Sequence, residues 1–494
     1  MAAAIPSPGR SMAAAREGLK DTEQPNIVLI VADDHGREAM GCYGNPVIKT
    51  PNLDGLSAEG VRFTNAFCTT ASCSASRSVI LTGMYNHANG QYGHQHSYHH
   101  FISFENIKSL PVLLSEAGYR TARIGKYHVA PDSVYKFDVT LPGSARSPVQ
   151  MAENCRDFIR GDGPSRVEGV PPSNRGQDAR DTTGAGDNRP FFLYFCMDDP
   201  HRSGNVAEDL PGKPDRFGNK AEGGYPGIKE VTYDPKDVVV PPFLPDITEC
   251  RAELAQYYQS VSRVDQGVGR LLGVLKEAGQ YDNTLIIYIS DNGVAFPGAK
   301  TTLYEPGVKL PCIVRRPGRK NKGITCDALI NWADLAPTIL DFAGAPAGQN
   351  TFQGRSFKSI LEQEHPKGWD VTYASHTFHE ITMYYPMRVV RQRKYKLIWN
   401  IAHGLDYPFA SDLWAASTWQ ATIQNNRKLY GKRTVEAYLH RPKFELYDLE
   451  NDPDEVKNLA DDPKYEKVLS DLKAELKAFQ KRTNDPWLLK WDYE

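Results

Sequence analysis

Apolar runs that close on acidic residues recur along the chain. "NIVLIVADD" (26–34), "PFFLYFCMDDPHR" (190–202) and "NTLIIYISDNG" (283–293) all have this form. A continuous apolar run bounded by polar residues is the pattern of a strand buried on both faces, as in a parallel sheet. Stretches of helical character lie between them. In "TPNLDGLSAEG" (50–60), Thr50 suits an N-cap, Pro51 the first helical position and Gly60 the end. "SLPVLLSEAG" (109–118), the segment 252–278 and the segment 331–342 also predict helices. "RFTNAF", "RTARIGKYH" (120–128) and residues 310–314 predict further strands. Strand alternating with helix predicts an α/β fold built on a large, mostly parallel sheet flanked by helices.

Two Gly/Pro-rich stretches, 130–190 and 203–248, break the alternation and read as long loops that shape a cleft. Beyond about residue 365 the pattern changes. "RVVRQRKYKLIWN", "KFELYDLENDP" and a charged helix over 464–482 predict a smaller α+β C-terminal domain. The expected organisation is a disordered arm (1–23), a catalytic domain (24–365) and a C-terminal domain (366–494) that contributes to the cleft.

Composition narrows the function classes. A formal net charge of -2 gives no broad electrostatic case for nucleic acid. No run of 18 apolar residues exists, so no membrane span is expected. The 8 cysteines form no C-x-x-C pair, which argues against a zinc ribbon or a dithiol redox centre. Pro6, Pro8, Arg10 and Arg16 interrupt the opening, so no signal-peptide core is visible and a cytoplasmic location is expected.

The strand ends carry the candidate chemistry. Asp33 and Asp34 close one run; Asp291 and Asn292 close another. Strand-end acids can simply cap the next helix. Three carboxylates converging without a cation would repel one another, and a hard divalent ion, calcium or magnesium, relieves that repulsion. Lys126 and His128 are two apart, on one face of a strand. His201, Lys300 and Arg77 add further basic groups, as an anionic, oxygen-rich substrate requires. Cys73, in "TTASCSASRSVILTG", would sit at the positive end of a helix with Arg77 one turn on. The histidines of "YGHQHSYHHFISFE" (92–105), among them His99 and His100, lack the spacing of a zinc site and read as a loop near substrate. "SHTFHEITMYYPMR" (375–388) offers His376, His379, Glu380 and Arg388 from the second domain as substrate-binding groups.

The set "LIVADDHG", "TPNLDGLSAEGVRFTNAF", "SCSASRSVILTG", "GKYH", "DPHR", "SDNG" and "ELYDLENDPDEVKNLA" resembles the type I sulfatases of the alkaline-phosphatase-like superfamily, over roughly residues 24 to 490. "YGHQHSYHHF" and "EITMYYPMR" resemble the sulfamidase branch of that family. The resemblance implies an alkaline-phosphatase-like fold and a hydrolase that releases sulfate from an N-sulfated amino sugar. It implies that Cys73 is the precursor of formylglycine, which needs a maturation enzyme, and that Arg77 is the motif arginine. Asp33, Asp34, Asp291 and Asn292 match the calcium ligands, and Lys126, His128, His201 and Lys300 the groups around sulfate. A homodimer is also implied. The motif's usual proline is Ala75 here, and Lys300 stands where sulfamidases carry arginine. The competing expectations are an O-sulfatase, a phosphonate or phosphate monoester hydrolase, and an anion-binding protein with unconverted Cys73.

Overall fold

The computed structural model describes residues 24–162, 187–203, 215–220, 223–318, 323–347 and 352–493. The expected N-terminal arm and part of each long loop lie outside these residues.

The predicted strands assemble into one sheet. Its members are β1 (Asn26–Ala32), β2 (Val61–Phe67), β3 (Arg120–Gly125), β4 (Val139–Thr140), β5 (Phe191–Cys196), β6 (Thr284–Ser290), β7 (Lys309–Leu310), β8 (Cys312–Arg315) and β9 (Ile324–Asn331). The order is β4-β3-β5-β1-β6-β8-β2-β7, with β9 also on β2. β1 pairs in parallel with β5 and β6, and β3 with β5. The segment expected as one strand over 310–314 is two short ones, and both run antiparallel to their neighbours, so the sheet is mixed.

The apolar run of β1 is buried throughout because it faces two cores. Ile27, Leu29 and Val31 join one, with Val79, Ile80 and Leu81 of the helix Cys73–Thr82. Val28, Ile30 and Ala32 join the other, with Val264, Val268, Leu271 and Leu275 of the long helix Thr248–Glu277. The alternation of a strand divides one apolar stretch between two layers of helices.

The helix Pro51–Glu59 starts at proline as expected, but the Thr50 hydroxyl does not cap it. That oxygen accepts from Gly41 N at 2.9 Å and donates to Asp54 at 3.1 Å, tying the helix to the loop before it. The described residues at the start of the 130–190 stretch are more ordered than a loop. Helices Pro148–Asn154 and Arg156–Arg160 fall within it, and Gly267 of the long helix packs directly against Pro148.

A second, antiparallel sheet runs Val371–His376, Met387–Gln392, Tyr395–Asn400, Phe444–Asp448. The helix Glu466–Arg482 covers it with Leu472, Leu476 and Phe479; Phe479 stacks on Tyr373 at 4.3 Å. Ser375 N donates to Thr69 O at 2.7 Å. This sheet is thereby fastened to the segment that leads into Cys73. No helix among the described residues is long and apolar enough to cross a membrane.

Candidate active site

The C-terminal ends of β1, β6, β3 and β5 open on one side of the sheet, where open α/β sheets hold ligands. β1 and β6 are adjacent and in register, Ala32 beside Ser290, so Asp33 and Asp34 emerge next to Asp291 and Asn292. Gly125 and Gly293 permit the turns at these ends. Gly125 has φ +81°, and a Cβ there would lie 2.0 Å from Cys196 O; a Cβ on Gly293 would lie 2.0 Å from Pro306 O.

Cys73 begins a helix whose ten residues are all buried, and its thiol donates to Asp33 Oδ1 at 3.4 Å. Single ligand atoms of Asp33, Asp34, Cys73 and Asp291 lie within 4.8 Å of one another. Arg77, one turn on, is enclosed. Its Nε donates to Asp291 at 2.9 Å, Nη2 to Asp33 at 3.4 Å and Nη1 to Lys126 O at 3.1 Å. All three nitrogens hold the cage together, which makes Arg77 a positioning residue.

Two ammonium groups border the carboxylates. Lys126 pairs with Asp33, and also with Asp198 at 3.5 Å. Lys300 bridges Asp34 at 2.9 Å and Asp412 at 3.0 Å. His201 Nδ1 donates to Arg202 O at 2.5 Å, which leaves Nε2 facing Asp34 at 3.8 Å. Lys126 and His201 are 16% and 22% exposed, against 0% for Asp33, Asp34 and Arg77. The mouth of the site is therefore on the lysine and histidine side.

The charge balance favours a cation. Burial pushes Asp34 up to about 7; Lys300 opposes this, and Asp33 and Asp291 add to it. Burial and Asp33 push Asp291 up to about 6. Burial also raises Asp33, but Lys126, His201 and Arg77 outweigh it and hold the group well below its ordinary value. Asn292 Oδ1 is buried without a hydrogen-bond partner. Three carboxylates, two of them pushed towards neutrality, and one orphaned amide oxygen form a donor set that fits a hard divalent ion. Burial and Asp33 raise the Cys73 thiol well above its ordinary pKa, which favours the thiol over the thiolate.

A second group of side chains adjoins the cage. His379 Nε2 faces His94 Nε2 at 2.9 Å, and its Nδ1 faces Ser72 Oγ at 3.0 Å. His128 lies against His96, with its Nε2 2.6 Å from His96 Nδ1. His99 Nδ1 accepts from Ile381 N at 3.1 Å, and His100 is exposed. Glu380 accepts from Ser411 N and Oγ at 2.9 and 2.7 Å, tying down the start of the one-turn helix Ser411–Trp414 that carries Asp412.

His376 and Arg388 are not gathered with these groups. His376 is buried on Thr70 Oγ1 at 3.1 Å. Arg388 is buried, donates to both Asp485 oxygens and to His376 O, and lies under Trp487. It fastens the C-terminal segment to the second sheet. Asp485→Ala leaves that guanidinium buried and unpaired; the expected loss is about 3–5 kcal/mol, read from the urea midpoint.

Sequence reasoning missed Asp412 and left Asp198 without a role. Asp198 stands in the acidic close of β5, the same signal that marks Asp33. Asp412 directly follows no strand, and only tertiary packing brings it to Lys300.

The sulfatase family profile matches residues 25–345, and that of the N-sulphoglucosamine sulphohydrolase C-terminal region matches 298–413 and 419–482. The N-sulphoglucosamine sulphohydrolase of Homo sapiens is 39% identical, over 95% of this chain and 93% of its own. An N-acetylglucosamine-6-O-sulfatase of Bacteroides thetaiotaomicron is 27% identical, over 94% and 88%. A protein solved in complex with its substrate D-glucosamine-2-N,6-O-disulfate superposes with a TM-score of 0.63 at 23% identity, over 94% of this chain and 99% of that one. The chain thus belongs to the sulfatase family of hydrolases, with a C-terminal part of the N-sulphoglucosamine sulphohydrolase kind.

Proposed function

We propose that the protein hydrolyses the sulfamate S–N bond of an N-sulfated amino sugar, releasing inorganic sulfate. The observation that carries this reading is Cys73 at the head of a buried helix, within a carboxylate cage edged by Lys126, Lys300 and His201. The human N-sulphoglucosamine sulphohydrolase, similar along nearly the whole chain, supports the choice of an N-sulfate over an ester.

Asp33, Asp34, Asp291 and Asn292 would hold calcium, or magnesium in its place, and the ion would supply Lewis-acid polarisation of sulfate oxygen and nucleophile. Conversion of Cys73 to formylglycine by a maturation enzyme would supply, as the aldehyde hydrate, a hydroxyl to attack sulfur and a second whose deprotonation expels sulfate. Lys126 and Lys300 bind the sulfonyl oxygens and offset the charge that grows on them. Arg77 fixes the carboxylates. His201 gives a proton to the leaving nitrogen. Burial, Lys300 and Lys126 push this imidazole down to about 3 in the free cleft, so the role requires the sulfamate anion to raise it on entry. His128 receives a proton in the second half of the reaction. Its 8 free cysteines fit a reducing compartment, the cytoplasm.

A substrate panel tests the assignment. Glucosamine N-sulfate is expected to release sulfate at a kcat/KM at least about 100-fold above that for glucosamine 6-O-sulfate or an aryl sulfate. That ratio corresponds to about 2.7 kcal/mol of transition-state discrimination. Faster turnover of an ester overturns the sulfamidase reading and leaves an O-sulfatase. Faster turnover of a phosphonate monoester leaves the phosphonate hydrolase alternative.

A further inference from the structure

Imidazoles crowd the rim of the cleft beyond what the reaction uses. The 94–100 loop brings His94 and His96. The turn after β3 brings His128, which has φ 58°, a left-handed conformation unusual outside glycine. One ring nitrogen from each of the three lies within 4.8 Å of the other two. His96 Nδ1 and His128 Nε2 are 2.6 Å apart. The His94 ring stacks on His128 with centroids 4.9 Å apart, and His379 stands behind it, centroid to centroid 4.0 Å.

Two facing imidazole nitrogens attract only when one carries a proton and the other a lone pair. A metal ion can instead engage both lone pairs. Burial holds the imidazoles of His94 and His128 well below their ordinary pKa, helped by His379 and Lys300 at His94 and by Lys126 at His128, which favours the uncharged ring that binds metal. In sequence the histidines of the 94–100 loop lack a convincing fourth ligand, and the three that the structure groups are not all from that loop. The third, His128, comes from a separate strand end.

We propose that His94, His96 and His128 form a second metal site, selective for a borderline ion such as Zn2+ and separate from the carboxylate cage. Nitrogen donors suit zinc, copper, nickel and cobalt; the oxygen cage suits calcium or magnesium. Three imidazoles leave a fourth position for water. Zn–N bonds of about 2.0–2.1 Å place tetrahedral ligand atoms about 3.3 Å apart. The His96–His128 contact must therefore open slightly, and exposed His96 is free to turn. Zinc held on His128 removes the group assigned to accept a proton, so occupancy would block turnover. That consequence rests on the proposed function; the site itself does not.

The test is direct binding to the full chain, with excess calcium present to keep the cage filled. Zn2+ alone is titrated by calorimetry, and Co2+ is followed by its visible d–d absorption. One Zn2+ per chain is expected, together with a Co2+ spectrum of four-coordinate intensity. His94→Gln/His96→Gln is expected to weaken zinc binding by at least about 100-fold and to abolish the Co2+ bands, since loss of outer-shell partners alone costs about 10–100-fold. Should the double variant fail to fold, His96→Gln alone, at an exposed position, is expected to cost at least about tenfold. Absence of zinc binding by the unmodified sequence overturns the proposal. So does zinc binding unchanged in the variants, including zinc that leaves only when Cys73 is replaced, which would put the ion in the cage with Asp33 and His201. None of these readouts involves sulfate release, so the site can fail without the hydrolase reading failing.

Discussion

Cys73→Ala is expected to abolish sulfate release, with kcat/KM falling by on the order of 10^4-fold or more, as when a covalent nucleophile is removed from a hydrolase. Cys73→Ser is expected to lose nearly as much, because a hydroxyl in place of the aldehyde hydrate lacks the second oxygen whose proton loss expels sulfate. The fold should survive both changes. Cys73 is fully buried and small, and its hydrogen-bond partners are the carboxylates of the cage. Its side chain bears on the site's chemistry more than on core volume. Steady-state kinetics on glucosamine N-sulfate, with a thermal melt of each variant, checks this. Residual activity within tenfold of the parent would remove Cys73 from the nucleophile role.

Asp291→Asn is expected to act through the metal. It removes one of three carboxylates from a site where burial and Asp33 already push that group up to about 6. Calcium affinity is expected to fall by at least about 100-fold, more than the loss of an outer-shell partner costs, and activity with it. In the absence of metal two effects oppose. One less carboxylate lessens the repulsion that raises Asp34, but the amide has one acceptor oxygen for the two positions that now accept from Arg77 Nε and from the Asp34 and Asn292 N–H groups, and the buried guanidinium loses a carboxylate partner. The metal-free variant is therefore expected to melt below the metal-free parent. The parent alone should gain from calcium, by about 2.7 kcal/mol when the ion is at 100 times its Kd. Equal calcium-induced shifts in both proteins would show that the ion binds elsewhere.

Much of the candidate site was legible because sheet geometry converts sequence position into spatial position. A buried strand has one C-terminal end. Acids that follow two such strands meet when the strands are neighbours, as Asp33 and Asp291 do in β1 and β6. Lys126 was legible in the same way, at the end of β3. Less legible were features that depend on how distant segments pack. Asp412 reaches Lys300 from a one-turn helix, Ser411–Trp414, too short for any periodicity to mark it. Arg388 looked like a specificity group in "YYPMR", yet its position on an inner strand opposite Asp485 makes it a buried anchor. Arg77 read as a charge facing substrate, but a helix buried along its whole length turns it into the cage. The antiparallel direction of β7 and β8 escaped notice because an apolar run shows that a strand is buried without showing which way it runs. Strand β9 was missed because Asp327 and flanking polar residues interrupt "ITCDALIN".

The central claim is that residue 73 carries an aldehyde in the active protein. Trypsin releases Phe63–Arg77, which holds both Cys68 and Cys73. Mass spectrometry of that peptide from active protein, alkylated at its thiols and treated with a hydrazine, is expected to show Cys68 alkylated and residue 73 trapped as a hydrazone. Fragment ions would place the change at residue 73. Fully active protein in which both residues are alkylated thiols would contradict the account.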